Sequence, residues 1–365
     1  MYQVLHIMGG ADVGGMSAVV LNYYKHIDRK KIHFDIALTG VQPGRDGKKL
    51  EELGSNIYYI PMKSDGLKEY KKAFRKLLET KKYDAVHVHE NETSYVALGI
   101  AKKAGVKKRI AHSHTSAPTY NFKQEIRRLS GCILNYFYAT DLVACGRLAG
   151  ERVFGKWHMK CEKVCILPNA IETERFFYDE NTRETMRQGL GVKNNYVILM
   201  VGRLAKEKNH EFALKMIRAL HSRIRESVLF IAGEGEERDK IESIIRQYDM
   251  ESYVKLLGSR NDINEIYQAV DACILPSVHE GFPVVAVEAL ASGLPLLLSD
   301  TITDELRFSS LVKYLPIDNT EQWVKELITV RYSNDGERLI RGKEIMENGY
   351  NICQAAEKLE KIYLG

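Results

Sequence analysis

The 365-residue chain lacks paired cysteines and long hydrophobic runs. Its six cysteines are scattered without a Cys-x-x-Cys pair, which favours free, buried thiols in a reducing cytoplasm over a disulfide or zinc framework. The longest apolar stretch, residues 282–298, contains Glu288 and is interrupted by Gly293 and Pro295, so it does not predict a membrane span. No N-terminal targeting segment is visible, because residues 4–8 form a short strand that leads into a glycine-rich turn. We therefore expect a cytoplasmic protein.

Charge is divided unevenly along the chain. Residues 1–170 carry 28 Lys and Arg against 16 Asp and Glu, a net charge of +12, and the remainder carries −7. The basic residues between Lys102 and Arg128 are accompanied by aromatic ones, a composition that suits anionic lipid head groups or a phosphorylated acceptor. Peripheral contact with the inner face of the cell membrane and an ordinary solvated helical surface both remain open. Nucleic acid is not expected, since no nucleic-acid-binding motif accompanies the patch.

Thirteen short apolar segments are predicted to be strands, seven before residue 168 and six after residue 195, and they alternate with amphipathic helices over the whole chain. This pattern predicts two doubly wound parallel-sheet domains of the α/β class. The boundary falls after Ala170, where a Pro-Asn turn is followed by the polar run 179–193. We expect an N-terminal domain over 1–170, a C-terminal domain over 171–345, and a last helix over 346–365 that packs back toward the N-terminal domain. Ligands of such domains bind at the carboxyl ends of the strands, in a cleft that the two domains face.

The most informative segment, 277–293, follows an apolar strand and opens a helix. Pro283 suits the first helical turn and Gly293 the position just past the end. A glycine-containing turn before a helix N-terminus is suited to a diphosphate. Glu280 and Glu288 interrupt the apolar pattern, and a carboxylate one or two turns into the helix can accept hydrogen bonds from vicinal hydroxyls. The segment therefore suggests a sugar nucleotide.

Three further segments follow predicted strands. The turn that ends in Gly14 and Gly15 permits close backbone approach, with a structural turn as the alternative. His112 and His114 lie on one face of their strand, and we expect His114, the more forward one, to reach the substrate. His87 and His89 are expected to be structural. The third segment places cationic side chains beside a strand end, where they can neutralise a diphosphate without a metal: Gly202, Arg203, Lys208. Beside it, a turn after another strand could border a nucleobase: Gly258, Arg260.

Together these segments resemble the retaining glycosyltransferases of family 4, which have the GT-B fold of two Rossmann-like domains. The resemblance covers most of the chain. Glu280 and Glu288 match the E-x7-E element, and the loop from Gly202 to Lys208 matches a Gly-Arg-Leu…Lys element with one residue fewer. Residues 168–172 resemble the Pro-Asn-Gly-Ile/Val-Asp hinge of the family but depart from it at two positions. Residues 111–114 most resemble the capsular and exopolysaccharide branch.

The resemblance implies a role for each matched residue. Glu288 would hold the nucleotide ribose, and Glu280 would contact hydroxyls of the donor sugar. Arg203 and Lys208 would stabilise the departing nucleoside diphosphate, so that no metal or other cofactor is expected. Gly14 and Gly15 match the phosphate-binding turn, and His114 matches the active-site histidine. The sugar and diphosphate would be lined by the start of the helix: Gly281, Phe282, Pro283, Val284.

The resemblance thus implies a retaining transfer from a nucleoside-diphosphate sugar, expected to be a UDP-sugar, to a saccharide or polyprenyl-diphosphate-linked acceptor in surface polysaccharide biosynthesis. The domain over 171–345 would bind the nucleotide sugar, and the domain over 1–170 would bind the acceptor. The acceptor hydroxyl would attack on the leaving-group face without a protein nucleophile, with Glu280 as a covalent nucleophile as the alternative. A sugar-nucleotide epimerase, a phosphorylase and a catalytically silent sugar-nucleotide-binding partner are the competing functions on this architecture. The donor sugar, the acceptor and the oligomeric state are not determined by the sequence.

Overall fold

The structure, a computed structural model, describes residues 1–9, 15–40, 44–115, 121–280, 282–331 and 335–365. The chain divides into two compact units. Unit 1 comprises Met1–Ala170 together with Ile352–Gly365, and unit 2 comprises Ile171–Asn351. Within the described ranges, no helix combines the length and the apolar character that crossing a membrane requires.

Unit 1 is built on a parallel sheet of seven strands in the order β3-β2-β1-β4-β5-β6-β7. Its strands are β1 (Tyr2–Gly9), β2 (Ile32–Thr39), β3 (Ile57–Ile60), β4 (Ala85–Val88), β5 (Lys108–Ser113), β6 (Asp141–Ala144) and β7 (Val164–Ile166). Its helices up to residue 170 are α1 (Gly15–His26), α2 (Arg45–Glu52), α3 (Leu67–Thr80), α4 (Tyr95–Lys103), α5 (Phe122–Tyr138), α6 (Arg147–Phe154) and α7 (Lys156–Lys160).

Unit 2 repeats this design with six parallel strands in the order β10-β9-β8-β11-β12-β13. Its strands are β8 (Tyr196–Val201), β9 (Ser227–Ala232), β10 (Val254–Gly258), β11 (Ala272–Leu275), β12 (Leu296–Ser299) and β13 (Val312–Leu315). Its helices are α8 (Glu180–Gly189), α9 (His210–Arg223), α10 (Arg238–Gln247), α11 (Ile263–Ala269), α12 (Val284–Ala291), α13 (Thr320–Val330) and α14 (Arg338–Glu347).

The last helix, α15 (Ile352–Leu364), belongs to unit 1. Its buried residues recur at helical spacing, so that one face packs on the unit: Ile352, Ala355, Ala356, Leu359, Tyr363. Near its end, Glu360 accepts a hydrogen bond from the backbone N–H of Asp28 at 2.7 Å. α15 thereby brings Tyr363 into the interior of unit 1, where this side chain is 2% exposed.

The two parallel sheets confirm the predicted fold class, and each of the thirteen predicted strands is present within about two residues. Strands of both sheets read as continuous apolar runs because helices cover both faces. The polar run 179–193, in which the sequence predicts no helix, contains α8 at Glu180–Gly189. The Asp179 carboxylate caps this helix by accepting from the Thr182 N–H at 2.7 Å. No apolar pattern signals α8 in the sequence, because the helix is polar and Arg183 is its one buried residue.

No disulfide joins the cysteines of the described residues, as predicted, but not all of these thiols are buried. Cys145 and Cys273 are buried, whereas Cys161 and Cys353 are exposed. Cys353 lies on α15 and points away from the buried face of that helix.

Candidate functional site

In unit 2, β8 and β11 are neighbours in the sheet although β9 and β10 lie between them in the sequence. The chain runs outward from β8 to β9 and β10 on one side, and from β11 to β12 and β13 on the other. Loops that leave the carboxyl ends of two such strands diverge, and the crevice between them is the usual ligand site of an open parallel sheet. The loop after β8 carries Lys208, and the loop after β11 carries Glu280. The topology therefore brings these two predicted site residues together.

The two loops are joined by an ion pair and by backbone. Lys208 Nζ donates to Glu280 Oε1, and both side chains are largely buried, at 17% and 14% exposure. Ser277 Oγ donates to the same carboxylate oxygen at 2.9 Å. The backbone N–H of Val278 donates to the Glu207 carbonyl at 2.8 Å. A low-exposure carboxylate beside a fixed ammonium group makes a polar crevice that can take sugar hydroxyls and phosphate oxygens.

Arg203 and Arg260 are held less firmly than Lys208. Arg203 is 60% exposed and pairs with Glu207 at 2.6 Å, which raises the pKa of the guanidinium. Arg260 pairs with Asp262 through two hydrogen bonds of 2.8 and 2.5 Å. Each cation that the sequence assigned to the diphosphate or the base therefore contacts a carboxylate in the ligand-free protein.

Glu288 lies on α12, about two turns after Glu280, as the sequence predicts. Tyr267 on α11 donates its hydroxyl to Glu288 Oε2 at 3.0 Å and to the Val285 carbonyl at 3.2 Å. Burial raises the pKa of Glu288 to about 7, and the Tyr267 hydrogen bond and the charge of Arg175 oppose that rise. The carboxylate is thus poorly solvated in the free protein and gains from any ligand hydroxyl that donates to it.

The carboxyl ends of β8, β9 and β10 approach one another through glycines. The Gly202 N–H donates to the Ala232 carbonyl at 3.0 Å, and the Gly233 N–H donates to the Gly258 carbonyl at 2.9 Å. A Cβ at Gly233 would lie 1.9 Å from the Gly202 oxygen, so a larger residue cannot occupy this position without a backbone shift. Gly202 and Gly258 thus lie along one edge of the sheet, at the same end as Lys208.

Aromatic side chains pack together just before the start of α12. Phe282 is buried and stacks on Tyr350 with ring centres 5.2 Å apart, and Pro283 precedes the first helical residue, Val284. Gly281 lies outside the described residues, as does Gly14. Gly15 is the first residue of α1 in unit 1.

Unit 1 concentrates histidines at the carboxyl ends of its central strands. His6 lies opposite His87 in the register of β1 and β4, and His112 lies on β5. His89 and His114 directly follow β4 and β5. They lie two residues after His87 and His112, respectively, and therefore share a face of the sheet with them. Four of the five rings are almost fully buried, whereas His114 is partly exposed.

The rings are linked by hydrogen bonds. His114 Nε2 lies 2.8 Å from His89 Nδ1, and His89 Nε2 lies 2.9 Å from His6 Nδ1. The backbone N–H of His114 also donates to Asn91 Oδ1 at 2.9 Å, which fixes the strand end. Burial lowers the pKa of His114 to about 4, so its ring is neutral near pH 7.

Two overlapping groups of three histidines bring possible metal-ligand nitrogens within 4.8 Å of one another: His6, His87, His89 and His89, His112, His114. Both ring nitrogens of His6, His87 and His89 already take part in hydrogen bonds within unit 1. A cation at either group would have to replace that network. The hydrogen-bonded arrangement therefore gives no support to a metal centre here.

A helix face on the surface of unit 1 is apolar. The exposed large apolar residues of α5 recur at helical spacing and are joined by Trp157 of α7: Phe122, Ile126, Leu129, Ile133, Tyr136, Phe137. The ring centres of Tyr136 and His158 lie 4.5 Å apart with the rings tilted by 40°, which places α7 beside α5. Basic residues lie on the same two helices: Lys123, Arg127, Lys156, Lys160. We call these residues the α5 face.

Sequence reasoning missed His6, Tyr267 and Tyr363 as partners of site residues. His6 could have been found, because β1 and β4 are neighbours in a sheet that starts 3-2-1-4, which sets His6 beside His87. Tyr267 and Tyr363 reach their partners from helices that are adjacent only after the units have folded. No local pattern signals that proximity.

Comparisons with known proteins agree with this geometry. Residues 13–175 match the family described as Glycosyltransferase Family 4, and residues 182–304 match Glycosyl transferases group 1. The chain is 32% identical over 369 residues to EpsF of Bacillus subtilis, which is named as a glycosyltransferase. This match covers 99% of this chain and 96% of EpsF. It is 28% identical to an Escherichia coli UDP-Gal:α-D-GlcNAc-diphosphoundecaprenol α-1,3-galactosyltransferase, over 79% of this chain and 77% of that enzyme.

Solved structures show the same architecture. Anabaena HepE in complex with UDP superposes with a TM-score of 0.81 at 18% identity, and the match covers 99% of both chains. WaaG, a glycosyltransferase of lipopolysaccharide biosynthesis, superposes with a TM-score of 0.72 at 17% identity. The fold is therefore GT-B, and, by its similarity to EpsF over nearly the full length of both chains, this protein belongs to the family 4 glycosyltransferases.

Proposed function

We propose that the chain is a retaining glycosyltransferase that takes its sugar from a UDP-sugar bound by unit 2. The observation that carries the proposal is the Lys208–Glu280 pair at the switch point of the sheet, with Glu288 on the helix that follows. The Escherichia coli relative is named for UDP-Gal, and HepE was solved with UDP, which favours uridine as the base.

In this proposal each residue acts where negative charge or a hydroxyl group needs a partner. Glu288 accepts hydrogen bonds from the ribose hydroxyls, and Glu280 accepts from the donor sugar. Lys208 and Arg203 turn from their carboxylates to the diphosphate, on which negative charge grows as the glycosidic bond breaks. The acceptor hydroxyl attacks from the leaving-group face and passes its proton to a phosphate oxygen. No metal is required, because the two cations supply the charge.

We further propose that unit 1 receives a polyprenyl-diphosphate-linked saccharide at a membrane surface, as a step in surface polysaccharide biosynthesis. The acceptor class is suggested by the diphosphoundecaprenol substrate in the name of the relative, and the process by a relative in Staphylococcus aureus named as a capsular polysaccharide biosynthesis glycosyltransferase. The α5 face supports membrane contact, since exposed aromatic and aliphatic side chains with flanking lysines suit an anionic bilayer surface.

The test is a transfer assay with labelled UDP-, GDP- and ADP-sugars, run with a lipid-diphosphate-linked acceptor, with inorganic phosphate, or with neither. The proposal expects an acceptor-dependent product from a UDP-sugar whose anomeric configuration matches the donor. A sugar phosphate would indicate a phosphorylase, and an acceptor-independent epimer would indicate an epimerase.

Matched variants locate the activity. Arg203→Ala and Glu288→Ala should abolish transfer with little change in Tm. Arg223→Ala removes a comparably exposed Arg–Glu pair, with Glu321, away from the site and should leave the rate unchanged. Wild-type rates in both site variants would refute the assignment of the donor site.

A further inference from the structure

Hydrogen bonds in unit 1 connect five histidines and one tyrosine in a single unbranched chain. Beyond His6, the chain continues from His6 Nε2 to Tyr363 Oη at 3.2 Å and from Tyr363 Oη to His87 Nδ1 at 2.7 Å. It then runs from His87 Nε2 to His112 Nδ1 at 3.1 Å. We call the whole series, from His114 to His112, the histidine chain.

The five rings are neutral near pH 7. Burial lowers the pKa of His6 to about 3 and holds the pKa values of His87, His89 and His112 well below the ordinary range. A neutral imidazole carries one N–H and one bare nitrogen, so it donates one hydrogen bond and accepts one. The phenol of Tyr363 likewise donates once and can accept.

Among the described residues, Tyr363 Oη has only His6 and His87 as hydrogen-bond partners, so its single hydrogen must point to one of them if it is not to be buried without an acceptor. Two arrangements of the hydrogens then remain. If the ring of His112 donates to His87, every later group must donate onward, and all five rings are Nδ1–H tautomers. If His114 donates to His89, the direction reverses and all five are Nε2–H tautomers. A ring that took the other tautomer alone would place two N–H groups, or two bare nitrogens, face to face. The tautomer of each ring therefore depends on the others.

The inner end of the chain distinguishes the two arrangements. His112 Nε2 is buried and has no hydrogen-bond partner among the described residues. In the Nε2–H arrangement this atom would be a buried N–H without an acceptor, and such orphaned donors are rarer in folded proteins than under-satisfied acceptors. In the Nδ1–H arrangement it is a bare nitrogen. The structure therefore favours Nδ1–H throughout.

We propose that the histidine chain holds His114 in the Nδ1–H tautomer, so that this side chain offers a hydrogen-bond donor at its outer end. His89, His6, Tyr363, His87 and His112 are then positioning residues, which act on ligands only through His114. The use of that donor on a substrate hydroxyl rests on the proposed function, whereas the tautomer itself does not.

The participation of Tyr363 gives α15 a part in this arrangement. The hydroxyl of this one residue joins the His114–His89–His6 segment to the His87–His112 segment. Without it, the two-ring segment must bury one N–H without an acceptor whichever way its hydrogen points, so neither tautomer is preferred. The three-ring segment can still end on a bare His6 Nε2 and keeps its direction.

The test is a ¹⁵N NMR measurement of the tautomers in full-length, ligand-free protein labelled at histidine, near pH 7.5. The expected result is five rings in the Nδ1–H form. A mixture among the five, or five Nε2–H rings, overturns the proposal. Because no donor or acceptor is present, this result is independent of the transfer assay, and a failure there would concern the proposed function alone.

Tyr363→Phe supplies a second measurement. We expect mixed tautomers at His87 and His112, with Nδ1–H retained at the other three rings. Tyr24→Phe is the matched control, because Tyr24 is also buried in unit 1 and its hydroxyl lies 3.3 Å from His33, which is not part of the histidine chain. Unchanged tautomers in Tyr363→Phe, or the same change in Tyr24→Phe, would overturn the coupling.

Discussion

At the scale of single residues, the ion pairs of unit 2 differ in how firmly they are held. Lys208 and Glu280 are mostly buried, so their attraction is little screened by solvent, whereas Arg203 and Glu207 meet at an exposed surface where such pairs contribute little. A diphosphate can recruit Arg203 at small cost. Lys208 must exchange one buried carboxylate for phosphate oxygens, and Glu280 is then released to accept from sugar hydroxyls.

The raised pKa of Glu288 predicts a pH-dependent stability. The folded state keeps the proton up to about pH 7, while the unfolded chain releases it near the ordinary value of 4.5. The contribution of Glu288 to the free energy of unfolding is therefore fully present below pH 4.5 and declines as the pH rises through 7. Glu288→Gln should lack this decline and gain stability relative to the wild type between pH 5 and pH 8.

Urea unfolding at pH 5 and at pH 8 measures this difference in the free energy of unfolding. Glu251→Gln, at an exposed position of unit 2, should follow the wild type at both. The pH dependence of UDP binding should have the opposite sign, because ribose hydroxyls donate to the ionised form of Glu288. The affinity for UDP should therefore rise as the pH passes 7. A stability difference between Glu288→Gln and the wild type that does not change with pH would contradict this account of the carboxylate.

The positions of the candidate site residues in the fold could be predicted from the sequence where a motif and a strand end coincide, whereas their roles remain predictions. Glu280, Lys208 and His114 lie where the alternation of strands and helices placed them. The order 3-2-1-4 that is usual in such sheets sets β8 beside β11, but the contact between Lys208 and Glu280 depends on the conformations of two loops that no sequence pattern specifies. Nor does a sequence pattern specify the contact of Tyr363 with His87, which lies 276 residues away along the chain.

At the scale of elements, α14 supports the helix that carries Glu288. Gly342 of α14 packs so closely on α12 that a Cβ would lie 2.2 Å from the Ala291 carbonyl oxygen. Gly342→Ala should therefore destabilise unit 2 by about 1–3 kcal/mol, the usual cost of overpacking, and weaken UDP binding. Denaturant unfolding and a UDP titration of the variant measure both effects.

Gly189→Ala is the matched control. Gly189 is also helical but has no atom within 4 Å of a Cβ position, so alanine there should stabilise by a few tenths to about 1 kcal/mol through helix propensity. The two glycine-to-alanine substitutions should thus change the free energy of unfolding in opposite directions. A loss at Gly189 as large as that at Gly342 would show that close packing is not the cause.

The α5 face makes a prediction about vesicles. The protein should float with vesicles that contain anionic phospholipid, and Ile133→Glu should weaken binding by about 10-fold or more, since burying such a side chain contributes about 1.5–3 kcal/mol. Ile340→Glu changes a comparably exposed isoleucine of unit 2, 73% against 68%, and should bind as the wild type does. Absence of flotation at any ionic strength would reject membrane contact.

Elements with strong apolar patterns were the predictable ones. All thirteen strands and the amphipathic helices follow from the sequence, but α2, α6, α7, α8 and α14 do not. Most of these helices are short and polar, or bury residues other than large apolar ones, as α14 does with Arg338 and Gly342. Their stability comes from tertiary contacts, such as the Arg338 hydrogen bonds to the Ser292 and Tyr267 carbonyls.

At the scale of the whole molecule, the fold and the family follow from the repetition of one design. Two parallel sheets with the order 3-2-1-4 at their centres each present a switch point, and each gathers chemically active residues there. The uneven charge, +12 in the first 170 residues and −7 in the rest, is what we expect if unit 1 receives the proposed anionic acceptor and unit 2 binds the proposed donor.

Metal independence is a prediction for the complete reaction. If Arg203 and Lys208 alone neutralise the leaving diphosphate, the transfer rate should be unchanged after exhaustive treatment with EDTA and on addition of Mg²⁺ or Mn²⁺. Loss of activity with chelator, restored by one of these cations, would instead assign the neutralising role to a metal.

The central claim is that unit 2 binds a nucleoside diphosphate through Lys208 and Glu288. Calorimetric titration of UDP into the wild type, Lys208→Ala, Glu288→Gln and Arg223→Ala tests it most directly. We predict binding to the wild type and Arg223→Ala with equal affinity, and a loss of about 10- to 100-fold in each of the other two, as expected when a charged hydrogen-bond partner is removed. Equal affinity in all four proteins, or no binding to the wild type, would contradict the account.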